Sequence, residues 1–92
     1  MSTLAEKMDK QFEYQRTLHA TSADPMDLFV SVDHLATFLA GQMRAEPART
    51  RSQVKAELER RADAGQVRRW VDVHGRSSRP DRVDHYFLNA RP

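Results

Sequence analysis

Thr50-Arg-Ser-Gln-Val-Lys-Ala-Glu-Leu-Glu-Arg-Arg-Ala-Asp-Ala-Gly-Gln-Val-Arg-Arg-Trp70 is the stretch that decides the fold. Val54, Leu58 and Ala62 recur at every fourth position, which sets them on one face of a helix. Thr50 has the hydroxyl of a helix cap, and Gln53 three residues later completes a capping box, so the helix is expected over about 50–64. Gly65 supplies the residue that tolerates a left-handed backbone and ends it. Val67-Arg-Arg-Trp-Val-Asp-Val73 then alternates in the manner of a strand.

Upstream, residues 1–20 predict a first helix. Leu4, Met8 and Phe12 lie four apart and Leu18 continues their side, while Glu6, Asp9, Lys10, Glu13 and Arg16 form a solvated face. This helix either packs on the protein's own core or pairs with a second subunit, and the residues do not separate the two readings. Pro25 interrupts the polar connector Thr21–Asp27. Leu28-Phe-Val30 is a candidate short strand, and Ser31 caps a second helix with Asp33 in its first turn. Val32, Leu35, Ala36 and Leu39 share a face of that helix, with Phe38 and Met43 flanking it. Gly41 and Pro47 bracket the segment that follows. Either the second helix runs on to about Arg44 and leaves a short turn, or a longer loop intervenes; the first is preferred.

Downstream of Trp70, residues 74–82 hold Gly, Ser, Pro and Asp, which marks a loop between strand 67–73 and a last strand, 83–88. In that last strand Tyr86 and Leu88 share one side, and Val83, His85 and Phe87 the other. The hairpin tip carries Arg76, Arg79 and Arg82. The expected core is Phe29, Val32, Leu35, Leu39, Val54, Leu58, Ala62, Val67, Val71, Tyr86 and Leu88, with Trp70 read as packed between helix and sheet.

This order of parts, most clearly over 50–73 and in the opening Phe29-Val-Ser-Val-Asp-His-Leu-Ala-Thr-Phe-Leu39, resembles a winged helix-turn-helix domain. The resemblance covers about residues 28–88 and implies a small α+β fold in one domain spanning 1–92. Such domains generally bind duplex DNA as regulators, often as dimers, while a minority serve as protein-interaction modules. It implies that helix 50–64 enters the major groove, presenting Ser52, Ala56, Glu59 and Arg60 flanked by Arg51 and Lys55. Arg49, Arg51, Ser52, Gln53, Lys55, Ala56 and Arg60 are the candidate contacts on the helix. Arg76, Arg79 and Arg82 are the candidates for the flanking backbone or minor groove.

Charge supports a polyanionic partner only in part. The net charge is +2, but residues 1–40 carry three Lys/Arg against six Asp/Glu, and residues 41–92 carry twelve against seven. Glu59 and Asp63 on the third helix oppose a phosphate, and Asp81 and Asp84 are expected to form surface ion pairs with nearby arginines. The competing reading is a winged-helix scaffold that binds a protein, as small mobile-element proteins of this size often do. A continuous basic stripe along helix and wing would favour DNA. A patchwork of both signs with an exposed apolar patch would favour a protein.

Enzymatic chemistry finds little support. His19, His34, His74 and His85 lie on four separate expected elements without ligand spacing, so no metal is expected. There is no cysteine, no Gly-rich phosphate loop and no nucleophile elbow, and neither a catalytic residue nor a cofactor is expected. Residues 1–15 are polar and do not resemble a secretory signal, and no apolar run approaches the roughly 20 residues a membrane span needs. A cytoplasmic regulator of the phage, plasmid or compact-operon kind is the expectation.

Overall fold

The computed structural model describes residues 3–70 and 84–89. Helix α1 spans Leu4–Ser22, and the Thr3 hydroxyl caps it by accepting from the Glu6 amide at 3.2 Å. A 3-10 turn, Pro25–Leu28, follows on the Asp24 cap and leads into β1, Phe29–Ser31. Ser31 caps α2, Val32–Met43, as the sequence predicts, and Arg44 ends it in a left-handed conformation (φ 53°). Helix two therefore does run on to Arg44, and only a short turn separates it from α3, Pro47–Asp63. Strands β2, Val67–Arg69, and β3, His85–Leu88, complete the described chain.

The expected start of α3 is corrected by one turn. Glu46 is the N-cap and Pro47 opens the helix. Proline is favoured there because its missing N–H is one the first turn would leave unpaired in any case. Thr50 accordingly sits inside the helix, buried, with its hydroxyl donating to the Glu46 carbonyl at 2.9 Å. Gln53 is exposed on the next turn rather than part of a capping box. The helix stop is as expected: Gly65 has φ +77°, a conformation that a side chain at this position would strain.

The three strands form one antiparallel sheet in the order β1-β3-β2, with Val30 opposite Tyr86 and Val67 opposite Leu88. The result is three helices and a three-stranded antiparallel sheet in a winged-helix layout. Alternation along each strand turns Val30, Val67, Tyr86 and Leu88 inward, where they meet Val32, Leu35, Leu39, Val54 and Leu58 from α2 and α3. Met8 and Phe12 of α1 close the core from the other side.

Three expectations about packing are overturned. Phe29 lies half-buried on the outer face of the sheet, because its register with Phe87 fixes it on the side away from Val30. Trp70 is 44% exposed on that same face, edge-on to the His85 ring at 5.9 Å. Leu18 is 43% exposed, because the drift of a 3.6-residue period carries it off the stripe of Met8 and Phe12. Ala62 packs against the core only in part, and Leu28 closes the 3-10 turn instead of opening a strand. The expected strand residues 71–73 and 83, the tip at 74–82 and the core position Val71 lie outside the described residues.

Candidate nucleic-acid interface

Helix α3 carries the candidate surface, and its first side is set by what its core residues touch. Val54 and Leu58 are fully buried, and Thr50 and Arg61 lie on the same face. Rotating away from that face toward the sheet come Arg51, Lys55 and Glu59, and each bonds a residue of another element, Arg51 at the surface and the other two in part buried. The Arg51 guanidinium bridges Asp33 on the first turn of α2 and Asp84 just before β3, the latter at 2.8 Å. The hydrogen bond to Asp33, the largest influence, holds the Arg51 pKa above its ordinary value. Asp84 thus forms the arginine pair expected of it, while Asp81 lies outside the described residues.

Lys55 reaches the central strand, β3. Its Nζ donates to the Tyr86 hydroxyl at 2.6 Å, and that hydroxyl donates to Glu59 Oε2 at 3.1 Å. Glu59 also accepts from Arg69 Nε at 2.7 Å, and Arg69 reaches on to Asp63 at 2.9 Å. Burial pulls the Lys55 pKa down and pushes the Tyr86 phenol up. The two carboxylates that would repel phosphate, Glu59 and Asp63, therefore both bond Arg69 of β2, although Asp63 stays largely exposed.

On the opposite flank Arg60 and Arg61 share Glu57. Arg60 makes two bonds to it, at 2.6 and 3.0 Å, and Arg61 makes one at 2.9 Å. The Arg60 bonds, with help from Arg61, lower the Glu57 pKa to about 2. Arg61 is buried, a placement the sequence reading missed. Its head pairs with Asp9 of α1 at 2.7 Å, donates to the Ala5 carbonyl at 3.2 Å and lies over the Phe12 ring. The signal was available: Val54, Leu58 and Arg61 follow i, i+4, i+7 spacing, so Arg61 had to meet the core or be carried past it.

What stays open to solvent along the outward side of α3 is the ridge Arg49, Ser52, Gln53, Ala56, Arg60 and the acidic Asp63, with Pro47 and Ala48 exposed at the helix start. Ser52 makes a long bond of 3.4 Å back to the Ala48 carbonyl. Arg49 has no ion-pair partner among the described residues, and neither has Arg44 in the turn before α3. The N-terminus of α3 also lacks a side-chain cap, unlike α1 and α2, so its first-turn amides face solvent unpaired by a side chain. Of the ten candidate contacts, Arg49, Ser52, Gln53, Ala56 and Arg60 share this ridge. Arg51 and Lys55 are drawn toward the sheet, and Arg76, Arg79 and Arg82 lie outside the described residues.

Comparison with protein-family models, with curated proteins and with solved structures finds no match. No helix among the described residues is long and apolar enough to cross a membrane.

Proposed function

We propose that this chain binds duplex DNA as a regulator, with α3 as the helix that enters the major groove. The observation that carries the reading is the exposed ridge of α3 in a winged-helix layout, where Arg49, Ser52 and Gln53 meet solvent while the cations beside them are engaged internally. Arg49 and Gln53 have the chemistry for paired bonds to guanine and adenine edges, and Ser52 for either base or phosphate. The uncapped amides before Thr50, with Arg44 and Arg49 beside them, suit a phosphate oxygen. In this reading Arg51 and Lys55 are positioning residues, which hold α3 against α2 and β3, rather than groups that meet the bases. The wing arginines Arg76, Arg79 and Arg82 would add backbone contacts.

A second reading is favoured by one specific observation. Arg51, Lys55 and Arg60 of α3 and Arg69 of β2 all lie within 4 Å of a carboxylate, and Asp63 is exposed beside them, which leaves a patchwork of both signs on and beside α3. Such a surface suits a protein partner better than a continuous basic stripe would.

The test is the binding of labelled duplex DNA at several salt concentrations, with Arg49→Ala and Gln53→Ala beside the parent. DNA binding predicts affinity that falls steeply with salt, and a salt slope reduced by about one in Arg49→Ala if that residue meets a phosphate. Absence of binding at low salt would leave the protein-partner reading.

A further inference from the structure

The face turned away from α3 is built differently. A groove of about 460 Å³ runs between α1 and α2, lined by Gln11, Tyr14, Gln15, Leu18, Leu35 and Phe38 among others, with none of its lining from α3. Tyr14, Leu18 and Phe38 are 60%, 43% and 46% exposed along it, a costly arrangement for a chain this small. A second hollow sharing Gln11 and Phe38 continues it toward Lys7, Lys10 and Gln42.

The stripe that α1 presents to this groove has polarity. Lys7, Gln11, Tyr14 and Leu18 follow each other at spacings of four, three and four residues, so they lie on one side of the helix. Its N-terminal end carries Lys7 and Lys10, which meet no carboxylate among the described residues. Its C-terminal end meets Asp27, whose carboxylate accepts from Ser22 Oγ on the last turn of α1 and faces no cation among the described residues. Positive end, apolar middle, negative end is a pattern complementary to itself when reversed. That is what a two-fold interface requires, since the same patch must match its own rotated copy.

We propose that a second copy of this chain occupies the groove, with the two α1 helices antiparallel and crossing at Tyr14. Gln11 of each copy then lies near Leu18 of the other, and Lys7 and Lys10 of each approach Asp27 of the other. Phe38 of α2 closes both flanks. The pairing leaves both α3 ridges free, and it stands whether or not those ridges bind DNA.

Sedimentation equilibrium of the full chain across the micromolar range, without DNA, tests it. A monomer–dimer equilibrium is expected. Leu18→Asp and Phe38→Ser should each raise the dissociation constant at least about ten-fold, as loss of a central apolar contact does. Both side chains are already half exposed, and a far-ultraviolet circular dichroism spectrum unchanged from the parent shows that each variant folds. Lys7→Glu with Lys10→Glu should weaken the dimer, and adding Asp27→Lys should restore it, since only the antiparallel pairing brings these groups together. A parent that is monomeric throughout overturns the proposal. So does a dimer indifferent to Leu18→Asp and Phe38→Ser, or charge reversal without rescue. A monomer whose groove takes up an apolar dye, with uptake lost in Phe38→Ser, also overturns it and reassigns the groove to a small ligand.

Discussion

Arg61 shows how a charge is made tolerable inside a domain with little core to spare. Its guanidinium has Glu57, Asp9 and the Ala5 carbonyl as acceptors, and its stem and head cover Phe12. Arg61→Ala removes packing and the α1–α3 link together, and is expected to cost about 2–3 kcal/mol in urea unfolding, below the figure for a fully buried pair because Asp9 is largely exposed. Asp9→Asn should cost less than about 1 kcal/mol by the same assay. Glu57 gives the network a pH signature. Its carboxyl, ordinarily at 4.5, is lowered to about 2 in the fold, first by the bonds from Arg60. A depressed carboxylate contributes stability that is fully present above the unfolded value. That contribution is lost as pH falls from about 4.5 toward 2, and Glu57→Gln should flatten the stability profile in that window.

At the scale of elements, what was legible in the sequence followed from local rules. The Ser31 cap, the extent of α2, the Gly65 stop and the inward pair Tyr86 and Leu88 each depend on neighbours a few residues away. Gly65→Ala tests one of them: the left-handed backbone at φ +77° should make it destabilising by about 1 kcal/mol in thermal or urea unfolding, although space for the methyl is open. The start of α3 differs because the Thr50–Gln53 pair has the form of a capping box, while Pro47, a favoured first helical residue, opens the helix one turn earlier. Phe29 and Trp70 went astray for a different reason. Their side is fixed by the register with β3, a partner far away in sequence, and apolar character does not say which face of a sheet a residue occupies. The candidate site was partly legible: Ser52, Ala56 and Arg60 fall outward by helical spacing, whereas Glu59, expected beside them, is drawn in by Arg69 and Tyr86. That Arg51 and Lys55 are drawn aside depends on Asp84 and Tyr86, some thirty residues away, which no local pattern could show.

The whole molecule has two unlike faces. One is the α3 ridge, polar and solvated, beside a web of ion pairs that fixes the helix against α2 and β3. The other is the apolar groove of α1 and α2. A two-fold pairing through the groove would leave both ridges exposed, so the two faces are testable separately. The central claim concerns the ridge. Fluorescence anisotropy of a labelled duplex at stepped salt, comparing the parent with an Arg49→Ala, Gln53→Ala and Arg60→Ala triple variant, addresses it most directly. The account predicts parent binding that weakens steeply as salt rises, and a triple variant weakened by about ten-fold or more at the same salt. No binding by the parent at low salt, or a triple variant that binds as tightly with the same salt slope, would contradict it.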